Sequence, residues 1–143
     1  VKNVIAIAVG ASDGLGFGDN TRAALITRGL AEVTRFGVAL GACPETFAGL
    51  SGVGDLIVTC TSRHSRNHNV GERLGRGEQI REILGSMSMV AEGVWNARVI
   101  HALGRKHGVE MPITDTVHAL CYQDLPAREA VERLMGRDAK PES

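Results

Sequence analysis

Apolar positions recur along most of this chain with helical rather than strand spacing. Ala23, Ile26, Leu30, Val33 and Leu40 keep the intervals of one helix face, while Arg22, Arg28, Glu32 and Arg35 fall on other positions. Asp19-Asn20-Thr21 supply capping residues ahead of this segment and Gly41 closes it, which predicts a long amphipathic helix. Upstream, residues 4–11 are an apolar run too short for periodicity to assign, and Ala6, Ala8 and Ala11 tip it towards helix. Gly14, Gly16 and Gly18 then loosen the chain before the capping residues.

Downstream, Pro44 suits the first turn of a short helix with Phe47 and Leu50 as its inward residues. Ser65 is placed to cap a helix carrying Val70 and Leu74, which Gly75 and Gly77 end, and Glu78 to Leu84 adds a brief turn. Ala91 to His107 reads as a second long helix, with Arg105-Lys106-His107 favourable to its C-terminal dipole and Gly108 as its stop. Pro112 breaks the chain, Thr114 or Asp115 can start a helix through Val117, Leu120 and Cys121, and Pro126 begins the last, with Ala130, Val131 and Leu134 on one face. There is no Asn-Gly hairpin turn and no long alternating run. The pattern predicts an all-α fold, a compact multi-helix domain of roughly seven to nine helices. That domain is expected over residues 1–136, with residues 137–143 a flexible polar tail.

Composition narrows this picture without redirecting it. A chain of 143 residues can bury a core without metal or disulfide support. Aromatics are only 3%, so the core must be built from Ala, Val, Leu and Ile, which favours closely packed helices. Lys+Arg and Asp+Glu both total 16, and a formal charge of +0 argues against a nucleic-acid partner. Between positions 63 and 81, however, five arginines (63, 66, 73, 76, 81) face Glu72 and Glu78, a local net of 5 − 2 = +3. Cys43, Cys60 and Cys121 are odd in number and lack CxxC spacing, the pattern of reduced thiols in a cytoplasmic protein. No run approaches the roughly 20 apolar residues of a membrane span, and no signal-peptide pattern is present. The sequence opens Val1-Lys2-Asn3-Val4 without a Met and enters an apolar segment almost at once, which suggests a piece of a longer polypeptide.

Chemistry concentrates between Leu50 and Asn67. Gly52 and Gly54 allow close backbone approach, Asp55 adds a carboxylate, and Ser65-Arg66-Asn67 opens a helix. A cation in a first helical turn is unfavourable beside the positive end of the dipole unless an anion sits there too, so Arg66 points to an anion site. The plainer readings are a solvated basic face for Arg66 and a helix cap for Asp55. His64 and His68 have the spacing of two zinc ligands, but no glutamate lies between them as in HExxH and no third ligand is evident, which leaves surface imidazoles as the default. Gly14-Leu15-Gly16-Phe17-Gly18 resembles part of a dinucleotide-binding loop, yet no βαβ context accompanies it and helix linking is the better reading. Lys2, a lysine at a chain end, carries almost no information on its own.

The order of these pieces is more specific than any one of them. Lys2-Asn3-Val4-Ile5-Ala6-Ile7-Ala8, the run from Asp13 to Gly29, Gly52 to Cys60, Ser65-Arg66-Asn67, Val90-Ala91-Glu92-Gly93 and Met111-Pro112-Ile113-Thr114 closely resemble the bacterial-type NAD(P)-dependent glycerol-3-phosphate dehydrogenase family. The resemblance covers nearly the whole chain and only the C-terminal, substrate-binding half of that family. It implies a helical domain like the C-terminal domain of 6-phosphogluconate dehydrogenase-like enzymes. It also implies a separate N-terminal Rossmann domain, absent from this chain, that binds most of the NAD or NADP.

By the same resemblance, the whole enzyme moves a hydride between nicotinamide and C2 of dihydroxyacetone phosphate, giving sn-glycerol 3-phosphate for phospholipid synthesis. Lys2 matches the catalytic lysine, which also contacts substrate. Asp55, Ser65, Arg66 and Asn67 match substrate-binding positions, and Arg66, Val90 and Glu92 match positions that touch the dinucleotide. The expected partners are the small phosphorylated substrate and the Rossmann domain of the same chain, and the long amphipathic helices leave room for a homodimer. A reading of another class is a non-catalytic helical module for self-association or anion binding. A different dehydrogenase with a helical C-terminal domain fits less well, because those commonly separate the catalytic lysine and asparagine, whereas Lys2 and Asn3 are adjacent.

Overall fold

Residues Val4 to Ser12 are buried without interruption, so the helix that carries them is apolar on every side and must be surrounded. This is α1 (Lys2–Leu15). The computed structural model describes residues 2–41, 60, 65–87 and 91–138, and among them six further helices follow. These are α2 (Asp19–Ala39), α3 (Arg66–Gly75), α4 (Ile80–Ser86), α5 (Glu92–His107), α6 (Pro112–Tyr122) and α7 (Ala127–Asp138). Helix α1 packs against α2, α3, α5, α6 and α7, while α4 lies on α3. The described residues are all-helical, as the apolar spacing predicts; the short helix expected after Pro44 lies outside them.

The glycine-rich end of α1 is helix where the sequence reading expected a loosened linker. Helix α1 runs through Gly14 to Leu15, and only there does Gly16, at φ 84°, turn the chain. Gly16 N–H donates to the Asp13 carbonyl and Phe17 N–H to that of Ser12, which closes the helix with a left-handed glycine cap. Gly10 and Gly14 have a different purpose. A Cβ on Gly10 would lie 2.2 Å from the His68 carbonyl oxygen, and one on Gly14 would lie 2.1 Å from that of Glu72. Gly71 and Gly75 answer from α3, where added Cβ atoms would meet the carbonyl oxygens of Ile7 at 2.0 Å and Ala11 at 2.4 Å. Two glycine pairs, each four residues apart, thus let two helix backbones touch. The contacts advance together along both helices, so α1 and α3 run parallel and begin at the same end.

Helix α2 buries a different stripe from the one its apolar residues suggest. Leu25, Gly29, Glu32, Phe36 and Gly37 face inward, Ile26, Leu30 and Val33 pack along the flank, and Leu40 is exposed. Two local causes set this rotation. A Cβ on Gly29 would come within 2.7 Å of the Ile5 side chain, so α2 approaches α1 at that glycine. Glu32, fully buried, accepts hydrogen bonds from Ile113 N–H (2.8 Å), Thr114 N–H (2.9 Å) and the Thr114 hydroxyl (2.6 Å). A carboxylate from α2 therefore caps the start of α6. That external cap is why α6 begins at Pro112, with proline in the first turn, instead of at Thr114 or Asp115. Burial pushes the Glu32 carboxyl above its ordinary range, while the donated hydrogen bonds and Arg35 pull the other way.

A second polar connection fixes three helices at once. Asp13 accepts from Arg22 through one oxygen (2.9 and 3.1 Å) and bonds the His68 ring through the other at 2.7 Å. His68 is buried against α1, which corrects its reading as a surface imidazole. The cause is again the glycine contact, which draws the first turns of α3 onto α1.

Candidate functional site

Ser65 caps α3 as its position predicts: its hydroxyl accepts from His68 N–H at 3.2 Å. The first intrahelical bond runs from Asn69 N–H to the Ser65 carbonyl, so the N–H groups of Arg66 and Asn67 have no intrahelical acceptor. Arg66 is exposed at this end. Asn67 is buried, and its side-chain oxygen accepts a 2.7 Å hydrogen bond from Gly93 N–H, in the first turn of α5. That bond identifies the amide oxygen and leaves the NH₂ of Asn67 as a donor group.

Gly93 makes the convergence possible. A Cβ there would lie 2.6 Å from the Asn67 side-chain oxygen, 2.7 Å from the Asn3 carbonyl oxygen and 2.9 Å from Ile7. The starts of α1, α3 and α5 therefore meet around one point. Lys2, which neighbours Asn3 in the sequence, opens α1 and is exposed; Glu92, next to Gly93, opens α5 and is exposed. Of the residues singled out from sequence, Lys2, Ser65, Arg66, Asn67 and Glu92 all lie on the first turns or caps of these three helices. Asp55 and Val90 lie outside the described residues.

The electrostatics of this end follow from its construction. Helix N-termini present uncompensated N–H groups and the positive ends of their dipoles, each worth roughly 0.3–1 kcal/mol towards an anion at an exposed position. Lys2 and Arg66 add formal positive charge, and Glu92 is the acidic residue in the first turn of α5. A guanidinium can grip a phosphate in a bidentate, charge-assisted manner. Such a donor set can hold a small anion.

Other sequence features fall away from this end. Gly14 and Gly16 lie at the C-terminal end of α1, where the helix dipole repels rather than attracts phosphate, and Gly18 is the N-cap of α2. Cys60 and Cys121 are buried thiols pushed up to about 12 by desolvation, which suits core packing and not nucleophilic work; Cys43 and His64 lie outside the described residues. Sequence reasoning missed Gly93 as the contact that joins three helices, and it missed Gly10, Gly14, Gly71 and Gly75 as the pairs that make α1 and α3 parallel. The available signal was the repeated four-residue glycine spacing in two helical segments.

These features define a helical domain in which the starts of α1, α3 and α5 are gathered at one end beside Lys2 and Arg66. Residues 1–132 match the family model described as NAD-dependent glycerol-3-phosphate dehydrogenase C-terminus, and the chain belongs to that family. It is 60% identical over 142 residues to glycerol-3-phosphate dehydrogenase [NAD(P)+] of Geobacter sulfurreducens, covering 99% of this chain and 42% of that protein. The namesake of Listeria monocytogenes is 55% identical over the same coverage. Among solved structures, glycerol-3-phosphate dehydrogenase of Coxiella burnetii superposes with a TM-score of 0.90 at 47% identity, over 94% of this chain and 42% of the other. The Saccharomyces cerevisiae enzyme gives a TM-score of 0.80 at 29% identity, over 92% of this chain and 40% of the other. The chain thus spans less than half the length of the curated relatives it matches, and the family resemblance drawn from its motifs is borne out.

Proposed function

We propose that this chain is the substrate-binding and catalytic half of an NAD(P)-dependent glycerol-3-phosphate dehydrogenase, which interconverts dihydroxyacetone phosphate and sn-glycerol 3-phosphate for glycerophospholipid synthesis. The observation that carries this reading is the Asn67–Gly93 hydrogen bond, with Asn3 beside it, because it brings the starts of α1, α3 and α5 together. NAD or NADP, held mainly by an N-terminal Rossmann domain outside this chain, supplies or accepts the hydride when bound.

The residues of this chain carry the remaining work. In the reductive direction Lys2 donates a proton to the C2 oxygen as negative charge develops there, and in the oxidative direction it takes that proton back. General acid–base assistance of this kind is typically worth 10²- to 10⁴-fold in rate. Arg66 and the first-turn N–H groups of α3 hold the substrate phosphate. Ser65 shapes that turn, Asn67 offers its NH₂ to a substrate oxygen, and Asp55 orients Lys2 or a substrate hydroxyl. Arg66, Val90 and Glu92 border the dinucleotide. The enzyme works in the cytoplasm; among the described residues no helix is long and apolar enough to cross a membrane.

The test uses the full-length enzyme. Lys2→Ala should lower kcat by at least 100-fold with cofactor affinity nearly unchanged, the pattern of an interaction made in the transition state. Weakened cofactor binding with normal kcat would refute the role. The 143-residue chain alone should not turn over glycerol 3-phosphate with NAD or NADP, since hydride transfer requires the other domain, and measurable turnover would overturn that division of labour.

A further inference from the structure

A cavity of about 470 Å³ opens at the other end of the molecule, among the ends of α1, α3 and α6 and the starts of α4 and α7. Helix α1 separates it from Lys2 by about 20 Å, taking 1.5 Å per residue, so it is no part of the cationic end described above. Its apolar wall includes Leu15, Leu74, Leu120 and Leu125. Arg81 and Arg128 line the same space, and neither makes a hydrogen bond or ion pair with any described residue. Of the two carboxylates that also line it, Glu78 is taken up by Arg73 at 2.7 and 3.1 Å, which leaves Asp124 as the remaining negative charge. Two unpaired guanidinium groups against one carboxylate give the rim a positive balance. The first turn of α7 adds to it: Ala127 and Arg128 border the cavity, and the first bond of that helix runs from Ala130 N–H to the Pro126 carbonyl.

We propose that this cavity is a second binding site, for a small amphipathic anion: a phosphate or carboxylate head on a short hydrocarbon tail. The head would sit between Arg81, Arg128 and the α7 amides, and the tail against the leucine wall. The volume lies within the ordinary range for small-molecule sites, about 300–1,000 Å³. Nothing in this assignment depends on the proposed reaction, because it uses no residue of the Lys2 end.

Titration of hexyl phosphate into ¹⁵N-labelled protein tests the assignment. The expected result is a saturable shift of the Arg81 and Ala127–Arg128 amides, with inorganic phosphate and hexanol each binding at least tenfold more weakly. Arg81→Ala with Arg128→Ala should raise Kd at least tenfold, and lysine at both positions should recover most of the affinity. Because neither arginine has a partner among the described residues, both pairs of substitutions should leave the thermal midpoint in place. Inorganic phosphate binding as tightly as hexyl phosphate, a double variant with unchanged Kd, or shifts confined to the Lys2 and Arg66 end would each overturn the proposal.

Discussion

Replacing Gly71 with alanine tests whether backbone contact between α1 and α3 organises the domain. The added methyl would stand 2.0 Å from the Ile7 carbonyl oxygen and 2.8 Å from the Ala11 nitrogen, both backbone atoms that cannot swing aside. Restoring an ordinary contact of about 3.5 Å requires the helices to part by more than about 1 Å. Overpacking of a rigid site costs roughly 1–3 kcal/mol, and backbone on both sides places this case at the upper end. Alanine recovers about 1 kcal/mol of helix propensity over glycine, for a net loss of about 2 kcal/mol. At roughly 3 °C per kcal/mol for a chain of this length, Tm should fall by about 6 °C. Gly136 in α7 is the matched control, since nothing lies within 4 Å of its added Cβ; alanine there should stabilise by up to about 1 kcal/mol. Both variants can be read by calorimetry and urea unfolding. A Gly71→Ala protein as stable as its parent, beside a normal Gly136→Ala control, would refute the close-contact account.

Glu32 provides a pH test. Its folded pKa lies above its unfolded value, so the folded state binds more protons between the two values. Its contribution to stability is then complete below the unfolded value near 4.5 and lost as pH rises through the folded value. A Glu32→Gln variant should lose this downward slope of unfolding free energy with pH, and an identical slope would contradict the assignment. Asn67→Ala removes the acceptor for the buried Gly93 N–H and should cost about 1–3 kcal/mol in urea unfolding, whereas a loss below measurement error would show that the bond does not hold α5 in place. In the full-length enzyme, Arg66→Ala should raise KM for the phosphorylated substrate more than it lowers kcat, with lysine recovering only part; an unchanged KM would remove the phosphate role.

What the sequence disclosed depended on whether the relevant interaction was local. Ser65 and Gly108 could be read because a cap and a left-handed stop act within a few residues of themselves, and the structure places both as expected. Val131 and Leu134 likewise declared their face by spacing alone. Glu32 could not be read in this way, because its partners at Ile113 and Thr114 lie more than 80 positions away and a lone glutamate among apolar residues looks like the solvent side of a helix. Gly14 was misread for a related reason: glycine weakens an isolated helix, but the Glu72 backbone of α3 packed against it leaves no room for a Cβ and reverses its value.

The candidate site divides along the same line. Arg66 carried its chemistry openly beside the Ser65 cap, whereas Lys2 and Glu92 stood out only through the family resemblance, and nothing in the spacing of positions 2, 66 and 92 could bring the three to one end of the molecule. That placement is the work of residues with no chemistry of their own. Gly10, Gly14, Gly71 and Gly75 set α1 and α3 parallel, and Gly93 lets α5 begin where those two begin. A substitution at any of these glycines should therefore act on the cationic end indirectly, by separating helix starts that carry its charges.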